Sequence, residues 1–420
     1  MDLKDMGLNP KLTERLSARK ITQATPVQAG AIPKALEGRD VMGLAQTGTG
    51  KTLAFGLPLL HELMKTGHKP DPKNTHALIL APTRELARQI YEALNELVQG
   101  SHLKLALVVG GTSLGRQIET LRKPVDLLVA TPGRLIDLLD RKAVSLSQTR
   151  FLILDEADQM LDMGFIHALR RIAPLLPKAR QTMLFSATMP KQMAEISTQY
   201  LTNPVRVEVS RPGKAADKIA QSVHFVAQSE KFGLLKELLN ETDHDRALVF
   251  ARTKHGAERL MKNLVKSGVS AGSIHGNKSQ GQRDRAIKSF KSGDISVLVA
   301  TDVAARGIDI DGVSHVYNYE LPNVAENYVH RIGRTARAGR EGEAIAFCAM
   351  EETGEFLAIQ KLLGTNIDVA SGTIWPAIKD DTIARTKPKS NRRRRYRSGG
   401  GGNGGGNDGN KGGNRNRRAA

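Results

Sequence analysis

Short apolar runs recur along the first half of the chain, each followed by polar or helical sequence. They fall at residues 41–45, 77–81, 105–109, 127–130, 151–154 and 183–185. Uninterrupted apolar runs of this length fit strands buried on both faces, as in a parallel sheet. Between them lie segments of helical periodicity, such as residues 84–98. Strand alternating with helix predicts an open α/β sheet with right-handed crossovers, whose ligand lies at the carboxyl ends of the strands.

The pattern pauses at Ser210-Arg211-Pro212-Gly213-Lys214, where Pro, Gly and charge coincide and read as a linker. It restarts with apolar runs at residues 223–226, 247–250, 273–274, 297–300, 316–319 and 344–347. The spacing predicts a second α/β domain and a site in the cleft between the two.

Composition narrows the class. The chain has 420 residues, 40% hydrophobic and 25% charged, which excludes wholesale disorder. Its net charge of +19 points to a polyanion, nucleic acid before anionic membrane. The charge is concentrated: residues 384–420 hold twelve Lys/Arg against one acid, Asp408. This Arg-, Gly- and Asn-rich stretch has too few apolar residues to fold. It is expected to be a disordered, salt-sensitive tether to phosphates, in which Tyr396 is a candidate for base stacking. One cysteine, Cys348, rules out an internal disulfide framework, and burial is expected to leave it inert. No apolar run suggests a transmembrane helix. The start lacks the apolar core of a signal peptide, so a cytoplasmic protein is expected.

Two motifs carry chemistry. Ala45-Gln46-Thr47-Gly48-Thr49-Gly50-Lys51-Thr52 lies between a strand and a helix. Gly48 and Gly50 let backbone N–H groups approach phosphate oxygens, Lys51 reaches the β- and γ-phosphates, and Thr52 is placed for Mg²⁺. Asp155-Glu156-Ala157-Asp158 directly follows an apolar strand. Carboxylates there are costly unless near a cation. Asp155 is placed to hold the Mg²⁺ shell and Glu156 to polarise the attacking water. No His/Cys set has the spacing of a zinc site.

With these motifs stand Thr25-Pro26-Val27-Gln28, Pro82-Thr83-Arg84-Glu85-Leu86-Ala87, Gly110-Gly111, Thr131-Pro132-Gly133-Arg134 and Ser186-Ala187-Thr188. The second half adds Gln280 with Arg283, Thr301-Asp302, Arg306-Gly307-Ile308-Asp309 and His330-Arg331-Ile332-Gly333-Arg334-Thr335-Ala336-Arg337. Over roughly residues 1–350 the chain resembles a DEAD-box RNA helicase of superfamily two, most like the bacterial RhlE-type branch. The resemblance implies two tandem RecA-like domains using ATP and Mg²⁺. Residues 1–29 would form the Q-motif region, 30–209 the ATP-binding domain, 210–217 the linker, 218–380 the second domain and 381–420 the tail.

By the same resemblance, Gln28 reads adenine and Asp309 contacts ribose, with Ile21, Gly48, Thr49, Gly50, Lys51, Thr52 and Asp155 completing the ATP site. Glu156 and Lys51 would be catalytic, joined across the cleft by the arginine fingers Arg334 and Arg337. Asp158, Ser186, Thr188 and His330 would couple the nucleotide to RNA. The RNA track would use Pro82, Thr83, Arg84, Gly111, Thr131, Pro132, Gly133 and Arg134. On the second domain it would use Gly276, Gln280, Arg283, Thr301 and Asp302.

The implied activity is ATP-dependent unwinding of short RNA duplexes, or remodelling of ribonucleoprotein, by a monomer. Ribosome precursors and RNA-decay machinery are the implied partners, with no membrane. A tail-dominated RNA chaperone and a DNA helicase are the rivals.

Three residues depart from the family pattern. Ile21 stands where an adenine-stacking aromatic is usual, Leu3 where an upstream Phe is usual, and Ala336 where a Gly separates the two fingers. Ala336 is tolerated if its φ is negative and harmful if it is positive. His275, beside Gly276, reads equally as turn geometry or an RNA contact. Trp375 is expected to pin the chain by packing rather than to bind a base.

Overall fold

The computed structural model describes residues 1–45, 48–189, 191–209, 219–241, 246–305, 312–336 and 341–375. The expected linker at 210–217, the tail at 381–420, Asp309 and Arg337 lie outside the described residues.

The first half is a seven-stranded, wholly parallel sheet. Its strands are β1 (Val41–Leu44), β2 (Thr75–Leu80), β3 (Leu105–Val108), β4 (Val125–Ala130), β5 (Phe151–Leu154), β6 (Gln181–Ser186) and β7 (Val205–Glu208), in the order β3-β4-β2-β5-β6-β1-β7. The second half repeats the plan with β8 (Ile219–Phe225), β9 (Ala247–Phe250), β10 (Ala271–Ile274), β11 (Val297–Ala300), β12 (His315–Asn318), β13 (Gly342–Cys348) and β14 (Asp368–Ser371), in the order β10-β11-β9-β12-β13-β8-β14.

Every apolar run read as a strand is one. The central strands bury both faces because neighbouring positions feed opposite layers. Ala77, Ile79, Leu127, Val129 and Ile153 enter one core of the first half, and Leu78, Leu80, Leu128, Leu152 and Leu154 enter the other. The second half divides Val249 and Val299 from Leu248, Phe250 and Leu298 in the same way. Of the four edge strands, β3 and β10 were foreshadowed, and β7 and β14 were not. β7 alternates between half-buried and exposed positions, and β14 is exposed throughout. Neither therefore carries a continuous apolar run.

The helix predicted at 84–98 spans Arg84–Val98, with the Thr83 hydroxyl accepting from the Leu86 amide at 3.2 Å. Its apolar stripe packs on the first core, and the cap satisfies one orphan N–H. Leu3 is 1% exposed and packs into that same core, so it serves packing rather than a ligand. Cys348 is buried, and burial pushes its thiol up to about 12. Trp375 packs against a further cluster that includes Val223, Tyr328 and Phe356, and donates to the Cys348 carbonyl at 3.0 Å, which is the pinning role expected of it.

Candidate nucleotide and RNA sites

The carboxyl edge of the first sheet divides into two regions. β5, β6 and β1 are adjacent, so the loops after residues 154, 186 and 44 converge. β3, β4 and β2 form the other half, and gather the loops holding Gly111, Thr131 and Arg84.

The loops after β1 and β5, with Leu86, Gln89 and Ala93 of the helix that follows β2, line a cavity of about 370 Å³. Gly50, at φ 92°, caps the helix Lys51–Lys65. A Cβ there would lie 2.5 Å from the Gln28 side-chain nitrogen, so both backbone conformation and close approach require glycine. Gln28 is buried. Its Oε1 accepts from the Thr25 amide at 3.0 Å and its Nε2 donates to the Gly50 carbonyl at 3.0 Å. The residue expected to read adenine thus also fastens the Q-motif region to the phosphate loop. Ile21 lines the cavity. Of the loop itself, Gln46 and Thr47 lie outside the described residues.

Lys51 is buried, and its ammonium makes no hydrogen bond among the described residues. Its nearest acid is Asp155, at 3.9 Å. Asp155 is equally buried, and its carboxyl is pushed up to about 7. Burial is the main cause. Lys51 opposes it, while Glu156 and Asp158 add repulsion. A buried ammonium without a hydrogen bond and a carboxylate starved of positive charge fit a triphosphate with its Mg²⁺. Thr52 lines the same cavity. Glu156 starts the helix Ala157–Asp162 at φ 51°, a strained value for a non-glycine residue.

Asp158 ties this loop to the next. Its Oδ2 accepts from the Ala187 amide at 3.1 Å, the Thr188 amide at 2.8 Å and the Thr188 hydroxyl at 2.9 Å. Ser186 donates its hydroxyl to the Thr188 carbonyl at 2.7 Å. His330 Nε2, from the second half, stands 3.9 Å from the same Asp158 oxygen. All four residues expected to couple the halves are therefore together. Arg334 is buried, beyond the end of the helix Ala325–Ile332.

The second region lines a cavity of about 460 Å³ that both halves enclose. Pro82, Thr83, Arg84, Thr131, Gly133 and Arg134 come from the first half, and Gly276 and Arg283 from the second. Gly111 lies at φ 75°, and a Cβ there would fall 1.9 Å from the Arg84 guanidinium. Arg134 donates to the Thr112 carbonyl at 3.3 Å and the Gln117 side chain at 3.0 Å.

Several expected RNA residues already have protein partners. Asp302 receives a two-point ion pair from Arg331, which is 1% exposed, bonds Asn318 and the Glu320 carbonyl, and lies 4.9 Å from the Phe250 ring centre. Arg331 is therefore internal, not part of a solvated basic face. Gln280 donates to Glu85 at 3.0 Å, and Arg283 pairs with Glu85 at 3.1 Å. His275 is buried and bonds Glu258 at 3.0 Å.

Motif reading missed Glu85, Met163, Phe165, Lys278 and Val303 on the RNA side, and Arg19 and Lys291 at the nucleotide cavity. Glu85 had a signal, since it lies inside a quoted motif. Lys291 had none: its place depends on how the helix Gln280–Ser292 lies along Arg84–Val98, where Arg88 and Asp284 approach to 3.5 Å.

Residues 25–196 match the DEAD/DEAH box helicase model, and residues 230–339 match the helicase conserved C-terminal domain. The ATP-dependent RNA helicase CshA of Listeria monocytogenes is 42% identical over 371 residues, covering 88% of this chain and 70% of the relative. The chain belongs to the DEAD-box family of ATP-dependent RNA helicases. CshA of Bacillus subtilis is 42% identical over 87% of this chain and 73% of its own length. Dbp5 of S. cerevisiae, solved with RNA and ADP BeF3, superposes with a TM-score of 0.79 at 33% identity, covering 88% of this chain and 95% of that one. Mss116p, solved with single-stranded RNA and AMP-PNP, gives 0.78 at 28% identity, covering 89% and 79%. These likenesses establish two RecA-like domains. Among the described residues no helix is long and apolar enough to cross a membrane.

Proposed function

We propose that this DEAD-box helicase clamps single-stranded RNA between its halves and couples closure to ATP hydrolysis, so separating short duplexes or remodelling ribonucleoprotein. The observation that carries this reading is the pair of cavities at one sheet edge: one lined by the loops after β1 and β5 and the helix after β2, the other by the loops after β2, β3 and β4 with residues of the second half, and Glu85 and Asp158 reaching across. Phosphoryl transfer needs positioned charge more than covalent chemistry. Lys51 and the loop amides hold the phosphates, and Glu156 orients the attacking water and accepts its proton. Mg²⁺, held by Asp155 and Thr52, supplies charge neutralisation on the phosphates when bound. Arg334 and Arg337 add charge from the second half.

RNA and ATP each favour the closed state, so each tightens the other's binding. Contacts to phosphates and 2′-OH groups make most of the track indifferent to sequence. The basic tail adds local concentration.

The domain limits of the sequence reading (30–209 and 218–380) stand as part of this proposal. The RhlE-type branch finds no support among the curated relatives quoted, which are CshA proteins. Family likeness and positive charge support a cytoplasmic role on ribosome precursors or in RNA decay as the finer part of this proposal.

The test is steady-state ATPase of the full chain without nucleic acid, with single-stranded RNA and with matched DNA, at two salt concentrations. Stimulation by RNA alone is expected. Equal stimulation by DNA would defeat the 2′-OH reading. RNA binding without stimulation would favour the chaperone.

A further inference from the structure

Each strand of the first sheet has a counterpart seven strands later, because the two orders are identical. The counterpart of the nucleotide cavity is therefore the space beyond β8, β9 and β12. A cavity of about 500 Å³ lies there. The helices that wall the two cavities match in spacing. One is capped by Thr83 and presents Leu86, Gln89 and Ala93. The other is capped by Thr253 and presents Gly256, Arg259 and Asn263.

The phosphate-handling parts are dismantled in the second copy. Lys231 opens the helix after β8, as Lys51 opens the helix after β1. Its ammonium is taken up by the Tyr319 carbonyl at 3.0 Å, the Phe347 carbonyl at 3.2 Å and the Glu352 carboxylate. Gln228-Ser229-Glu230 precedes it in place of the glycine loop, and Tyr319 follows β12 where Asp155 follows β5. Neither an available ammonium nor a buried acid is left for a magnesium triphosphate.

What remains suits a neutral planar ligand. Arg259 and Glu320 are the charged residues that line the cavity, and they cancel. Arg259 has no hydrogen bond or ion pair among the described residues. Glu320 accepts the Arg252 amide proton on Oε2 at 2.6 Å, which leaves Oε1 available. Half-buried Tyr319 lines the cavity as well, its ring edge-on to Phe347 and 6.0 Å from the Lys231 ammonium.

We propose that this cavity binds a guanine base. A guanidinium donates to guanine O6 and N7 as a bidentate pair, and a carboxylate accepts from guanine N1–H and N2–H. Adenine turns an amino donor toward Arg259 and offers no matching donors to Glu320. Tyr319 supplies a stacking face, a common device for an unpaired base. The base comes from a free nucleoside or from the bound RNA strand; the second source rests on the helicase reading above.

The test uses the full chain with its first site saturated with ADP. Guanosine and adenosine are titrated. In parallel, affinity is measured for all-adenine single-stranded RNA, the same strand carrying guanines, and the same strand carrying inosine, with wild type and Arg259→Ala. A preference for guanosine of about tenfold, near the lower end for a bidentate contact, lost in Arg259→Ala, identifies the free base. No guanosine binding, but a similar preference for guanine-containing RNA that Arg259→Ala removes, identifies a strand base. Inosine, lacking the N2 amino group, should lose part of the gain. Equal affinity for guanine and adenine in both arms, or a preference that survives Arg259→Ala, overturns the proposal. ATPase stimulated by all-adenine RNA separates the two readings: its absence in wild type counts against the helicase reading, not against this cavity.

Discussion

Glu85 of the first half holds Arg283 of the second at 3.1 Å, and accepts from Gln280 with its other oxygen at 3.0 Å. All three are at most half-exposed and stand beside the RNA cavity. One carboxylate therefore organises two residues that motif reading assigned to RNA. Removing one partner of a largely buried pair strands the other charge. Glu85→Ala should weaken RNA affinity about tenfold and lower RNA-stimulated turnover, with Glu85→Gln intermediate because its amide oxygen still accepts. Fluorescence anisotropy with labelled RNA reads the first effect and steady-state ATPase the second. Unchanged affinity in Glu85→Ala would show that Arg283 is placed without it.

Glu258 gathers Ser273, His275 and Lys278 at 2.8, 3.0 and 2.9 Å. Burial raises its pKa, but these hydrogen bonds outweigh it and bring the carboxyl down to about 2. The folded value lies below the unfolded one, so the folded state binds fewer protons. Its contribution is present above about pH 4.5 and is lost as pH falls through about 2. Glu258 is partly exposed, so solvent screening keeps the effect modest. Urea melts of wild type and Glu258→Gln should differ at pH 7 and converge toward pH 2. A constant gap across that range would rule out ionisation as the cause.

Much of this was readable from the chain because the signals were local. Twelve apolar runs gave twelve strands, and glycine, lysine and carboxylates at strand ends marked the nucleotide loops. The edge strands β7 and β14 were not readable, since their positions are half-buried or exposed and carry no continuous apolar run, whereas the edge strands β3 and β10 were read. Pairings across long separations were not readable either. Nothing near Asp302 announces that Arg331 takes its carboxylate, and nothing near Lys231 announces Glu352. The sequence offers Gln28 as a candidate for adenine, but not as a clasp on the Gly50 carbonyl, because that bond depends on how the helix Pro26–Leu36 meets the phosphate loop.

Ala336 settles the question its sequence position raised, with φ at 55°. It is a left-handed residue with a Cβ, close to Arg334 and immediately before Arg337. That conformation costs an L-residue about 1–2 kcal/mol. Ala336→Gly should recover about 1 kcal/mol, part of it lost again to the freer unfolded chain, and raise the melting temperature by about 2–4 °C. Turnover should rise if the strain limits how the fingers dock. Gly342→Ala should do the reverse, because a Cβ there would meet the Thr335 hydroxyl at 2.1 Å and the Ala336 amide at 2.6 Å. Calorimetry of the two variants decides, and a destabilised Ala336→Gly would show that residue 336 carries no strain.

Ile21 lines the nucleotide cavity beside Arg19 and Lys51, so the departure from an aromatic lies at the site and not beside it. Its side chain is half-buried against the first core, and keeps apolar contact with a base while losing π-stacking. Stacking on an aromatic is worth about 1–3 kcal/mol. Apolar contact offsets part of that, leaving a loss near the lower end, a factor of a few to about ten in affinity. Ile21→Phe should therefore lower the KM for ATP by that factor with little change in kcat, because the contact is made equally before and during the reaction. ATP and a nucleotide with a truncated base should converge in KM on wild type more than on Ile21→Phe. An Ile21→Phe that raises kcat without moving KM would place residue 21 in coupling rather than in base binding.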